Sequence, residues 1–309
     1  MSATASQKVP RAVGDRIFSG AALAAGLFIM LALAGVFFFL ALEGWPGLSA
    51  PELIYRPATD FWSYVGPLVF GTTLAAVLAL VIALPFAIGI ALFISHYAPR
   101  RLATPIGYVI DLLAAVPSVV YGLWGGKALS QAILPVQGWF YDHLGFLPFF
   151  KGPPSATGRT MLTAGVVLAI MILPIITAIS REVFAQTPRL HQEAALALGA
   201  TRWEMVRMTV FPYGRSGVVS AVMLGLGRAL GETMAVAMVL SASPVVTLNL
   251  ISTTNPATIA SNIASSYKEA TPDKQAVLIA TGLVLFAFTF AVNFLARWVA
   301  GRGERRLNR

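Results

Sequence analysis

The sequence contains no cysteine, so it holds no disulfide, no thiolate metal site and no cysteine nucleophile. Charge is also scarce. Asp, Glu, Lys and Arg make up 11% of the residues, against about a quarter in a soluble domain. The three histidines, His96, His143 and His191, are scattered without metal-ligand spacing. No nucleotide loop is present: Lys127 follows Gly126, but the first glycine of a P-loop would fall at Tyr121, and no Ser or Thr follows the lysine. There is no GxSxG elbow. The expectation is a chain with no catalytic site, no metal and no cofactor of its own. What is abundant is apolar surface: 57% of residues are hydrophobic, and the mean hydropathy is +0.75. A water-soluble fold cannot hide that much, so lipid must be part of the solvent.

A helix crossing the hydrocarbon core needs about 20 apolar residues. Six stretches qualify: Ile17 to Leu42, Pro67 to Ile94, Pro105 to Trp124, Thr160 to Ile179, Ser216 to Leu240 and Gln275 to Ala296. The first follows Lys8, Arg11 and Arg16, as a signal peptide would, but a cleaved apolar region is only about 7–15 residues long. It reads as a retained span. The expected fold class is all-α, a polytopic bundle with about six spans. One membrane domain, 17–298, lies between tails at 1–16 and 299–309.

Cytoplasmic loops are rich in Lys and Arg. With the N-terminus inside, only Arg56, Lys127, Lys151, Arg159, Lys268 and Lys274 fall on outer segments, and Arg228 falls within a span. The rest of the 22 basic residues are inner. Both termini are therefore expected in the cytoplasm. The net charge of +9 is a topology signal rather than a nucleic-acid footprint. The outer loops carry Trp45, Trp62, Trp139, Phe149 and Phe150, aromatics that favour the membrane–water boundary. Within 241–274, Ile259, Ile263 and Tyr267 share a helical face. That helix either lies on the bilayer or docks an outside partner.

The inner loop 181–215 reads as a projection of two helices. Thr187 is placed to cap the first, with Pro188 at its first position. Leu190, Ala194, Ala197 and Leu198 share one face, and Gly199 supplies a left-handed stop. Thr201 to Glu204 has capping-box spacing for a second helix, with Trp203, Val206 and Val210 in a stripe and Phe211-Pro212 at its end. The apolar stripe needs a partner, either outside the chain or on its own bundle.

Glu193-Ala194-Ala195, Gly199 and Val210-Phe211-Pro212 resemble the EAA loop of ABC importer permeases, with Phe-Pro where the family usually has Leu-Pro. The segments Leu112 to Gly122, Ser180 to Pro188 and Gly225 to Thr233 are similar to those of phosphate-specific permeases of the PstC type. The resemblance implies the importer permease (MetI-like) fold in a bacterial inner membrane. It implies a homologous PstA-type permease, two PstB-type ATPases that bind the ATP and Mg, and a PstS-type phosphate-binding protein outside. It also implies that Glu193, Ala194, Ala195, Gly199, Thr201 and Trp203 engage the ATPase. The alternatives are a molybdate or sulfate importer of the same class, an ion-coupled secondary transporter, and a membrane scaffold or sensor.

Arg228 and Glu232 are four residues apart in the fifth expected span, hence on neighbouring turns of one face. Charges at a membrane helix centre cost about 2.5–3.5 kcal/mol each on insertion scales, so they mark pathways by default. A guanidinium fork matches phosphate oxygens. The expectation is that Arg228 contacts the passing anion and Glu232 restrains Arg228; a purely structural ion pair is the other reading. Gly227 and Gly231 have the spacing for close helix approach, and Gly122 and Gly126 form a second small-residue face. Asp111 is placed to reach Arg100 or Arg101. It is a lesser pathway candidate, as are the hydroxyls of Thr72, Thr73 and Ser118, whose commoner use is interhelical hydrogen bonding. Pro85, Pro117 and Pro174 are positions for kinks.

Overall fold

The computed structural model describes residues 13–307. Lys8, Arg11 and most of the expected N-terminal tail lie outside that range, as do the last two residues of the C-terminal tail. In chain order the helices are α1 (Val13–Gly44), α2 (Glu52–Tyr55), α3 (Phe61–Leu92), α4 (Arg100–Ala115), α5 (Ser118–Trp124), α6 (Ser130–Ala132) and α7 (Leu134–Leu144). They continue with α8 (Met161–Ala185), α9 (Arg189–Ala197), α10 (Arg202–Met205), α11 (Phe211–Leu230), α12 (Met234–Val239), α13 (Ile259–Ser266) and α14 (Pro272–Leu307). Among the described residues, the only β feature is an isolated bridge between Ala242 and Asn255.

Four helices, α1, α3, α8 and α14, are long and apolar enough to cross a membrane. A fifth crossing results if α4 and the run from α5 through α6 are one span, and these meet at a 91° bend. The expected third span is thus not one rod. Pro117 lacks an N–H and disfavours helical backbone at Val116, so the helix stops and restarts. The Tyr121 hydroxyl donates to the Leu113 carbonyl at 2.9 Å and ties the two arms together. Pro85 and Pro174 lie inside α3 and α8.

The centre of the bundle is α3 against α8. Ala75, Ala79, Ala83, Ala87 and Ala91 are each at most 1% exposed. They meet Leu168, Ile172, Ile176 and Phe184, all fully buried. Both stripes repeat every four residues, the pattern of ridges packing into grooves. Lipid is as apolar as any side chain, so membrane helices gain little by hiding apolar surface from it; close van der Waals packing between small residues is what holds them. Gly165 extends this fit: a Cβ there would sit 2.4 Å from the Leu78 side chain.

One end of this bundle carries α9 and α10. At the other end the outer loops cover the start of α8. The Met161 N–H donates to Asn255 Oδ1 at 3.0 Å, and the Leu162 N–H to the Leu250 carbonyl at 2.8 Å. Helix α13 is capped by Thr258 and Ser261, and its first N–H donates to Thr72 Oγ1 at 2.9 Å. Ile259 is fully buried against Leu68 and Ala257. Of the amphipathic face read from the sequence, Ile259 and Ile263 thus pack within the chain, while Tyr267 is 40% exposed.

Helix α1 stands apart. Its apolar stretch is exposed throughout, and it touches α14 only towards its end. Phe37 meets Phe286 at 5.8 Å, and Gly44 approaches the Ala280 backbone. The two helices run antiparallel, which sends both described ends of the chain towards the end carrying α9.

Candidate functional site

The projection is built from short-range rules. Helix α9 ends in a full Schellman motif. Gly199 has φ +86°, its N–H donates to the Leu196 carbonyl at 3.0 Å, and the Ala200 N–H donates to the Ala195 carbonyl at 3.2 Å. Thr201 and Glu204 then form the expected capping box. The start of α9 differs from expectation. Pro188 is the cap residue, and Thr187 Oγ1 is buried without a hydrogen-bond partner. The Thr187 carbonyl, not its hydroxyl, is engaged: Gln192 Nε2 donates to it at 3.0 Å.

The end of the second helix also differs. Phe211-Pro212 does not stop it. Helix α10 runs through one wide π turn, Val206–Val210, directly into α11. Proline cannot donate an N–H to the turn before it, and a π turn is one way a helix absorbs that loss. One helical rod therefore runs from Arg202 to Leu230.

The two faces of the projection have different surroundings. Ala195, Met205, Val206 and Val210 pack with Ala91, Leu92 and Phe184 at the ends of α3 and α8. On the other side Leu190 is 79% exposed and Leu198 88%, with Ala194, Ala197 and Glu193 also exposed. Trp203, placed by its spacing in one stripe with Val206 and Val210, is 56% exposed, and its ring meets Phe211 edge-on. So Ala195 faces in, while Ala194 and Trp203 face out.

The second candidate lies at the far end of the rod. Helix α11 stops at Leu230, Gly231 is its cap, and α12 begins at Met234. The expected fifth span is therefore broken, and Arg228 and Glu232 do not share a helical face. Arg228 is exposed on the last turn of α11. Glu232 is 8% exposed, and its Oε1 accepts the Ala235 N–H at 3.0 Å, which satisfies a free donor at the start of α12. Among the described residues, the only ion pair is Arg181–Asp111, at 3.6 Å. The expected Arg228–Glu232 pair is thus absent. Arg228 keeps its fork free, within electrostatic reach of the Tyr121 phenol.

Irregular backbone at membrane depth persists only where protein covers it or water lines it. Here the break sits beside an open face on which Leu224, Gly227, Arg228, Gly231 and Met234 are exposed. Nothing in the chain packs within 4 Å of a Cβ placed on Gly227, so the expected Gly227/Gly231 contact is not made within this chain. Gly225 makes the close approach instead, against Ile172 and Ile176. Gly122 and Gly126 pack tightly on α12, at Ala235 and at the Met238 carbonyl.

The lesser candidates separate. Asp111 pairs with Arg181, not with Arg100 or Arg101, and so joins α4 to the end of α8. Thr72 is buried and holds α13, and Thr73 donates back to the Val69 carbonyl at 2.8 Å. Ser118 opens α5, half-buried. Sequence reasoning missed Arg181 and Gln192. It also missed Arg159, whose Nη2 donates to the Met238 carbonyl at the end of α12. Each acts on a partner remote in the chain or on a backbone carbonyl, which spacing does not reveal.

Residues 83–305 match the model of the family described as "Binding-protein-dependent transport system inner membrane component". A phosphate transport system permease protein PstC 2 of Mycobacterium tuberculosis is 49% identical over 304 residues, covering 94% of this chain and 93% of that protein. A PstC of Xylella fastidiosa (strain Temecula1) is 42% identical, covering 89% of this chain and 82% of its own length. The chain belongs to the binding-protein-dependent transport permeases, in their PstC branch. For the fold, a bacterial ABC transporter involved in the import of the acidic polysaccharide alginate superposes with a TM-score of 0.55 at 16% identity, over 93% of this chain and 99% of that one. In this PstC-type permease the matched family region contains both the projection and the Arg228 break. It leaves out α1 and the first two-thirds of α3.

Proposed function

We propose that the chain is the PstC-type permease subunit of an ATP-driven importer of inorganic phosphate. The observation that carries the cargo is the near full-length similarity, at 37–49% identity, to relatives whose names are phosphate transport permeases. The chain shares its pathway with a PstA-type permease, which covers the open face around Arg228. Two PstB-type ATPases supply the work, and a PstS-type protein delivers phosphate from outside. The chain hydrolyses no ATP itself, needs no cofactor, and has both termini in the cytoplasm.

The free guanidinium of Arg228 donates N–H bonds to phosphate oxygens as the anion passes the break. Glu232 fixes the start of α12 so that this segment keeps its shape. On the cytoplasmic side the exposed face at Leu190, Ala194 and Leu198 enters an ATPase groove, with Glu193, Thr201 and Trp203 at its rim. Ala195 keeps α9 against the bundle and Gly199 sets the turn. Asp111, Thr72, Thr73 and Ser118 serve the framework rather than the anion. Closure of the ATPases moves α9 and α10, and the rod tilts with them.

The test is ATP-dependent phosphate uptake by the reconstituted complex, with sulfate and molybdate as competitors. Arg228→Gln is expected to abolish most uptake while the complex assembles and its ATPase sites still hydrolyse ATP. Normal uptake by that variant ends the Arg228 assignment, stronger competition by molybdate or sulfate reassigns the cargo, and transport by the chain alone without ATP ends the importer reading.

A further inference from the structure

Helix α4 is held to the bundle by little. Prolines stand at both of its ends: Pro99 is its cap, and Pro117 follows the residue that closes it. Among its residues only Gly107 and Ile110 are buried, while Leu102, Tyr108, Val109 and Leu112 are each more than half exposed. Polar side chains tie it at two points. The Tyr121 hydroxyl donates to the Leu113 carbonyl, whose usual helical donor is the N–H that Pro117 lacks. The other tie is Arg181, from the end of α8. Its guanidinium lies in the notch left by Gly107, where a built Cβ would collide with Nη1, and its Nη2 meets Asp111 Oδ1 at 3.6 Å. Gly107 and Asp111 are one turn apart on one face of α4, so the guanidinium lies along that face.

Arg181 stands where the projection joins the bundle. Phe184, on the next turn of α8, is fully buried and packs with Ala195 of α9 and with Met205, Val206 and Val210 of the rod. The end of α8 thus touches the projection through Phe184 and α4 through Arg181. Beyond α4 the Pro117 bend leads to Tyr121, whose phenol is within electrostatic reach of Arg228. As a source of stability the pair is poor. Its side chains are 27% and 53% exposed, and partly exposed ion pairs add little to folding. Yet α4 carries a glycine in mid-helix, which weakens it, and that glycine makes room for the guanidinium.

We infer that Arg181 and Asp111 are positioning residues, which tie α4 to the foot of the projection so that α4 follows α8 when the ATPases move α9. This rests on the reading of the chain as a subunit of an ATP-driven importer. The rod moves Arg228 directly, and the tie moves the α4–α5 bend beside it in the same stroke. A contact between charges suits the task. Its attraction falls off slowly with distance, so it holds through small shifts of the two helices that would break an interlocked apolar contact. Without the tie, α9 moves and ATP is still hydrolysed, but α4 is left behind.

The experiment measures phosphate uptake and ATP hydrolysis together in proteoliposomes holding the full complex, for Arg181→Gln, Asp111→Asn and the double variant. The readout is phosphate moved per ATP hydrolysed. A folding defect lowers the number of working complexes and leaves that ratio alone; loss of the tie lowers the ratio itself. Each single variant should reduce it about fivefold, the low end of energetic coupling between sites. The double variant should be no worse than either single one, because the two side chains act through each other. An unchanged ratio overturns the tie, and so do losses that multiply in the double variant, which signal separate roles. Gly107→Ala tests the same contact with both charges kept, and it serves where Arg181→Gln does not assemble. Its methyl displaces the guanidinium from α4, and because the displaced atom ends a flexible side chain the fold is kept. The ratio should fall to the level of Arg181→Gln, and a wild-type ratio overturns the tie. If the unaltered complex moves phosphate without ATP, the importer reading itself has failed. If its uptake needs ATP and the variants match it, only the tie has failed.

Discussion

Glu232 is the residue whose part changed most between sequence and structure. Its spacing from Arg228 suggests an ion pair, but that holds only if the helix runs past Gly231, and it does not. The carboxylate instead accepts from the Ala235 N–H. Losing such a cap costs about 0.5–2 kcal/mol. Glu232→Ala should therefore lower the melting temperature of the purified complex and most of its uptake, while Glu232→Gln, whose oxygen still accepts, should lie between it and the wild type. A salt-bridge role would make the two variants equally defective. Glu204 is a second acid set by its neighbours. Bonds from the Thr201 backbone and hydroxyl hold its carboxyl below the usual carboxylate range. Such a group stabilises the fold above its unfolded value and loses that contribution as pH falls through the lowered one. Hydrogen-exchange protection around Thr201, corrected for intrinsic rate, should fall only in acid, and Glu204→Gln should flatten that profile. The capping box was legible because its partners lie within one turn. The Glu232 cap was hidden because a break inside an apolar run has no composition signal beyond glycine.

At the scale of elements, the α3–α8 contact is written in the sequence as alanine every fourth residue from Ala75 to Ala91. Hydropathy alone reads this stretch as a span and stops there. The repeat adds a direction, since only one face is small. Enlarging that face should overpack the contact: Ala83→Leu is expected to destabilise the subunit by about 1–3 kcal/mol. Val81, 64% exposed on the same helix, should tolerate Leu almost freely. Thermal unfolding of the two variants in one detergent decides between a specific contact and a merely apolar helix. The six expected spans fare according to how far local rules govern them. Those at α1, α3, α8 and α14 are recovered within a few residues at most ends. The third is bent at Pro117 and the fifth broken at Gly231, because a window of hydropathy averages over the point where the backbone turns.

At the scale of the whole molecule, the projection and the break belong to one object. Gly199 is the joint on one side of it, with φ +86° and open space around it. A side chain there fits, but the backbone disfavours it by about 1 kcal/mol or more. Gly199→Val should loosen the projection, lower uptake several-fold and leave docking of the phosphate-loaded binding protein on the complex unchanged; a parallel loss of docking would contradict a coupling role. Sequence spacing found the glycine and the helices beside it. It did not find the continuity past Pro212, because proline normally signals a stop and only the π turn removes the conflict. That continuity has a mechanical meaning. From Arg202 to Leu230 the rod is about 43 Å long at 1.5 Å per residue, so a tilt of about 5° imposed at its foot moves its tip by nearly 4 Å. On the proposed coupling, such a lever would convert a small rocking at the ATPase into a displacement at Arg228 larger than a hydrogen bond, enough to make or release a grip on an oxygen.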